Sequence, residues 1–156
     1  MEYSIVKLDH KAKVARVSLR AEELLEQLGR PEEEMLRQVD SEGRSDIKLA
    51  SLWRPEYASY MVESTPGVPY ESFNTVEQNM RNRRQEVEQL LEKDEICVTT
   101  SFPRLGCPGF TSPEFSPDPV NSFTRSLFWP SEATYGGHPR FAKLSENVRL
   151  RRGEKV

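Results

Sequence analysis

Seven of the chain's 11 prolines, and four of its 8 glycines, fall between positions 103 and 139. Proline fixes φ and removes a backbone donor, so a segment this rich in it cannot run as a helix or an interior strand. Residues 103–139 are therefore predicted to be irregular, and the clear regular elements lie before them. A stretch of that length inside a compact domain is usually functional or supported by something outside it. With 156 residues there is room for one domain of ordinary size. Only 36% of the residues are hydrophobic, and glycine lifts the apolar share to about 41%, below the roughly 45–50% of a typical domain. The core should be thin.

The charge balance, 22 basic against 25 acidic side chains for a net −3, gives no field that would attract nucleic acid or an anionic membrane. No window approaches the roughly 18 apolar residues of a membrane span, and the N-terminus has no leader pattern. The expectation is a soluble, cytoplasmic chain with no nucleic-acid or membrane partner. Cys97 and Cys107 form no CxxC pair and, with His10 and His138 so distant, no zinc spacing. They read as reduced thiols.

Tyr3, Ile5 and Lys7 alternate against Ser4, Val6 and Leu8, and Val14, Arg16 and Ser18 alternate beyond a polar reversal at Asp9-His10-Lys11-Ala12, which predicts a hairpin over residues 2–19. Leu24, Leu25 and Leu28 followed by Gly29 predict a helix over 21–28. Pro31 and the acidic run Glu32, Glu33 and Glu34 open a second short helix containing Met35, Leu36 and Val39. Residues 41–46 read as a polar loop and 49–62 as strand-like. The longest element is a helix over 74–93, with Phe73 as a staple, Asn74 and Glu77 as a capping box, and Val76, Met80, Val87 and Leu91 on one face. Arg83 and Arg84 interrupt that face and read as snorkelling edge residues. Ile96, Val98 and Thr100 predict another strand.

The chemistry-bearing feature lies in the strand-like run, where Glu56 and Glu63 sit among aromatic and apolar residues. Buried carboxylates are rare unless paired or bound to metal. Their odd separation puts them on opposite faces of a regular strand, so they share a face only across a bulge, the preferred reading, or a tight reversal at Ser59-Tyr60. Glu2 on the first strand is a third carboxylate. If these strands are neighbours, the three converge on a hard cation such as Mg²⁺, which takes oxygen ligands and shares them with phosphates. The alternative is pairing with Arg54 or exposure to water.

Arg54-Pro55-Glu56-Tyr57, Tyr60-Met61-Val62-Glu63-Ser64-Thr65-Pro66-Gly67, Phe73-Asn74-Thr75-Val76-Glu77 and Asn79-Met80-Arg81-Asn82-Arg83-Arg84 resemble the catalytic subunit of the eukaryotic glutamate–cysteine ligase family, in the family's order. So do Ser101-Phe102-Pro103-Arg104-Leu105-Gly106-Cys107-Pro108-Gly109-Phe110, Ser126-Leu127-Phe128, His138-Pro139-Arg140-Phe141 and Arg151-Arg152-Gly153-Glu154-Lys155-Val156. The resemblance implies an α+β fold, an antiparallel sheet with flanking helices, as part of a glutamine-synthetase-like ligase fold. It implies ATP-dependent ligation of glutamate to cysteine through a gamma-glutamyl phosphate, the first step of glutathione synthesis. Magnesium would neutralise the phosphates.

By the same resemblance Glu56 and Glu63 match metal-binding glutamates, and Glu2 matches the last acidic residue of a Gly-Asp-Glu-Val-Glu-Tyr string. Met1 stands where that string has valine, and Ala58 and Ser64 stand where the family usually has glycine. Residues 1–156 thus read as an incomplete catalytic domain, with the segments that bind glutamate, cysteine and nucleotide outside it, and the isolated chain is expected to be inactive. The family's regulatory (modifier) subunit is the implied protein partner. The alternative is a non-catalytic truncated product that binds that subunit or another partner. The basic run Arg149, Arg151, Arg152 and Lys155 reads as solvated or partner-facing.

Overall fold

The structure, a computed structural model, describes residues 1–43, 47–101 and 107–153, with Glu42 described by its backbone alone. Part of the 41–46 loop, Pro103 and Gly106 of the irregular stretch, and Lys155 of the basic run lie outside the described residues.

β1 (Glu2–Asp9) and β2 (Val14–Ser18) form the expected antiparallel hairpin, closed where Asp9 Oδ1 accepts the Ala12 N–H at 2.8 Å. α1 (Ala21–Leu28) and α2 (Arg30–Glu42) follow. β3 (Ser51–Pro55) and β4 (Met61–Pro66) make a second hairpin, α3 (Phe73–Glu88) packs on the sheet through Val87, and β5 (Glu95–Val98) returns to it. β6 (Thr111–Ser112) and a 3₁₀ turn (Ser131–Ala133) are the regular elements described between Cys107 and His138. α4 (Pro139–Arg152) closes the described chain, with proline in its first turn and Gly153 at φ 71° ending it.

β1 is the hub of the sheet. It pairs with β4 through residues 2–4, with β5 through 4–7 and with β2 through 6–9, all antiparallel. β6 pairs with β2 in parallel, so the sheet is mixed, which corrects the expectation of a purely antiparallel one. The returning strand arrives through a long connection rather than a tight turn, which frees its direction. Tyr3, Ile5, Trp53, Val62 and Cys97 face α1 and α3, where Leu24, Leu28 and Val87 complete the main core. The other face carries a smaller cluster in which Val17, Ala58 and Tyr60 meet Leu19, Met61 and Trp129.

Three local expectations are corrected. The run from 49 to 62 is not one bulged strand: the chain reverses between β3 and β4, and the Met61 N–H closes the turn on the Ala58 carbonyl at 2.9 Å. Phe73 is 95% exposed and staples nothing, and the α3 cap is Ser72, whose carbonyl accepts from Thr75 Oγ1. Arg83 is 4% exposed, not a snorkelling edge residue. It is kept inside because its guanidinium finds acceptors there: Nη1 donates to the Ser64 carbonyl at 2.8 Å and Nη2 to the Tyr70 hydroxyl at 2.8 Å. Arg84 lies 5.6 Å above the Tyr3 ring and donates to the Cys97 carbonyl.

Candidate metal centre

The register of β1 on β4 decides where two of the three carboxylates go. The Met1 terminal ammonium donates to the Ser64 carbonyl and the Ser64 N–H donates to the Met1 carbonyl, each at 2.8 Å. The next pair along, Glu2 and Glu63, is therefore a non-hydrogen-bonded pair, in which facing side chains stand closest. Because Tyr3 and Val62 turn into the core, Glu2 and Glu63 share the opposite face of the sheet. Glu2 is exposed and Glu63 half-buried.

Arg54 of β3 stands directly across from Glu63 on its other side, completing a row Arg54, Glu63, Glu2. An Arg54–Glu63 ion pair would be the simple outcome. Instead the Arg54 guanidinium grips Glu32 in the first turn of α2 with two parallel bonds, Nη1 to Oε2 at 2.5 Å and Nη2 to Oε1 at 2.7 Å, and Nη1 also donates to the Trp53 carbonyl. That pairing holds the Glu32 carboxyl below its ordinary range. Among the described residues neither Glu2 nor Glu63 has a hydrogen-bond or ion-pair partner for its carboxylate.

Glu56 is not brought to this pair. The turn centres on Ala58 and Ser59, so Arg54 rather than Glu56 faces Glu63, and the Glu56 carboxylate accepts the Tyr57 N–H at 2.6 Å. Tyr57 itself is fixed on several sides. Its carbonyl accepts from the Tyr135 N–H at 2.9 Å, its hydroxyl meets Ser145 Oγ at 2.9 Å, and its ring lies edge-on to Phe141. Among the described residues no group of three or more His, Cys, Asp or Glu side chains is placed to hold an ion.

Two facing carboxylates still fit a magnesium ion, which commonly takes one or two protein carboxylates and leaves its other positions to water and substrate phosphates. Like charges directly opposite one another repel, and an oxygen-seeking cation is the natural neutraliser for a pair whose neighbouring arginine is committed elsewhere. The Glu32–Arg54 lock escaped the sequence reading. No periodicity or local spacing ties Glu32 on α2 to Arg54 on β3, 22 positions further on.

A family model described as glutamate–cysteine ligase matches residues 1–156. The human glutamate–cysteine ligase catalytic subunit is 49% identical over all of this chain, which covers 24% of the human protein. The glutamate–cysteine ligases of Schizosaccharomyces pombe and Saccharomyces cerevisiae are 35% and 31% identical, again over the whole chain, which covers 31% and 24% of their lengths. The chain is a member of the glutamate–cysteine ligase family, and it spans about a quarter of the length of its human relative.

Proposed function

We propose that the chain forms part of the catalytic domain of a glutamate–cysteine ligase, within a glutamine-synthetase-like fold, and that Glu2 and Glu63 are magnesium ligands there. In the complete enzyme ATP transfers its terminal phosphoryl group to the side-chain carboxylate of glutamate, releasing ADP. The amine of cysteine then attacks that acyl phosphate, the amide bond forms, the amine proton is lost, and phosphate leaves. A bound magnesium ion supplies charge neutralisation for the phosphates. Glu2 and Glu63 would supply the negative wall against which it is held, and Glu56, whose carboxylate accepts the Tyr57 N–H, is proposed as the further acidic residue of that wall.

The observation that carries this reading is the facing of Glu2 and Glu63, free of any cationic partner among the described residues, in a chain of this family. The isolated chain is expected to bind the ion without turning over, because glutamate, cysteine and nucleotide sites are proposed to lie in the rest of the protein. Titration of the purified chain with Mn²⁺, followed by electron paramagnetic resonance, should show a site that Glu63→Gln loses. Phosphate release on adding ATP, glutamate and cysteine should stay at background. Binding unchanged in Glu63→Gln would remove the metal assignment.

A second reading, a non-catalytic product that docks on the regulatory subunit or another partner, is favoured by the apolar surface along α4 and the loop before it. There Phe128 is 65% and Leu150 72% exposed, and a cavity of about 410 Å³ lies between Phe128, Trp129, Leu144 and Val148. Co-elution with that subunit on size exclusion, lost in Leu144→Glu, would support it.

A further inference from the structure

We propose that Glu32 and Arg54 set the affinity of the carboxylate pair for its cation, with Glu32 acting as a positioning residue that keeps Arg54 away from Glu63. This rests on the reading of Glu2 and Glu63 as magnesium ligands and goes beyond it, because neither Glu32 nor Arg54 touches the ion.

Arg54 has two carboxylates to choose between: Glu63, directly across the β3–β4 ladder, and Glu32, presented by the first turn of α2. A guanidinium paired bidentately with one carboxylate has its fork filled. Here both terminal nitrogens bond Glu32, and the remaining reach of Nη1 is spent on the Trp53 carbonyl. Glu63 is left facing Glu2 with no cationic partner among the described residues.

Without the Glu32 charge the balance reverses. Arg54 is half exposed on a long flexible stem, and the carboxylate directly across the ladder from it is Glu63. An Arg54–Glu63 pair would cancel one of the two charges that attract the cation and occupy an oxygen the cation needs. Glu32 therefore protects the site by competition, and α2, which contributes no ligand, becomes coupled to cation binding.

The test uses the chain as it stands, with Mn²⁺ as the probe and bound ion measured by electron paramagnetic resonance. Glu32→Gln should weaken Mn²⁺ binding about tenfold. Arg54→Met should bind at least as tightly as the wild type, and adding it to Glu32→Gln should restore the lost affinity, a coupling that a merely structural role for Glu32 does not give. Wild-type affinity in Glu32→Gln, or loss of binding in Arg54→Met with the far-ultraviolet circular dichroism intact, would overturn the inference while leaving the metal reading in place. Absence of Mn²⁺ binding in the wild type, or full binding in Glu63→Gln, would remove the metal reading itself and this inference with it.

Discussion

Arg83 of α3 holds Ser64 of β4 by two atoms at once, Nη1 donating to its carbonyl at 2.8 Å and to its hydroxyl at 3.2 Å, one residue along from Glu63 and on the opposite face of the sheet. The guanidinium is buried with no carboxylate beside it among the described residues, and its Nε has no acceptor there. Neutral oxygens therefore carry the whole solvation of this charge. Hydrogen bonds from a charged donor are worth about 1.5–3 kcal/mol each, and relief of desolvation on removing the charge offsets part of that. Arg83→Met should cost about 2 kcal/mol in urea unfolding with an unchanged m-value. Arg83→Lys should recover little of it, since a single ammonium cannot reach Ser64 and Tyr70 together.

Stability should fall as pH rises through the range in which free thiols and phenols ionise. Burial pushes the Tyr60 phenol up from 10.0 to about 12 and the Cys97 thiol up from 9.0 to about 12. Both groups are neutral when protonated and hold the proton more tightly in the folded state. Their contribution is complete below the unfolded pKa and is lost as pH rises from about 9 for the thiol and 10 for the phenol toward 12, at about 1.4 kcal/mol per unit for each group. Melting temperature measured from pH 8 to 11.5 should fall from about pH 9 onward. Tyr60→Phe should flatten the part of that fall above pH 10.

Within the first hundred residues, the elements with local signals were legible. Alternation marked the β1–β2 hairpin, Gly29 and Pro31 marked the boundary between α1 and α2, and both appear where the sequence placed them. The position of the second turn was not legible. Tyr60 is a poor turn former, and the reversal is instead held from outside by bonds from Ser59 N to the Ala133 carbonyl and from Ala21 N to the Ser59 carbonyl. Burial of Arg83 depends on Ser64 and Tyr70, contacts that no periodicity encodes. α4 escaped because its apolar residues form no single stripe: Phe141 and Ser145 face inward while Leu144 and Leu150 are exposed. For the site, the residue types were readable, but which carboxylates meet depended on a register that only the folded sheet supplies.

Cation-free, the facing of Glu2 and Glu63 is a local cost. Directly opposed like charges destabilise a strand pair by roughly 0.2–1 kcal/mol. Glu63→Gln should therefore raise the melting temperature in the presence of a chelator by about 1–4 °C. In millimolar Mg²⁺ the order should reverse, because only the wild type gains from ligand linkage. Differential scanning calorimetry in both conditions reads the two signs directly. A wild type indifferent to Mg²⁺ and less stable than Glu63→Gln throughout would mean repulsion with no cation to offset it.

Gly67, just beyond β4, separates a folding requirement from a site requirement. Its N–H bonds the Ala50 carbonyl at 3.2 Å, and a Cβ there would lie 2.1 Å from the Leu49 carbonyl oxygen. Backbone atoms cannot yield as a side-chain tip can, so Gly67→Ala must push residues 49–50 away from 67 and open the outer end of the β3–β4 ladder. A loss of about 2–3 kcal/mol in chemical unfolding is expected, in the range of overpacked interiors. Glu63 lies further along the ladder, beyond the Leu52–Thr65 and Trp53–Ser64 pairs, and β1 holds it from the other side through the adjoining Met1–Ser64 bonds. Mn²⁺ affinity in the folded variant should therefore fall less than threefold. A large loss of affinity with stability preserved would place the control of the carboxylate pair in the outer end of β3 and β4 rather than in the β1–β4 register.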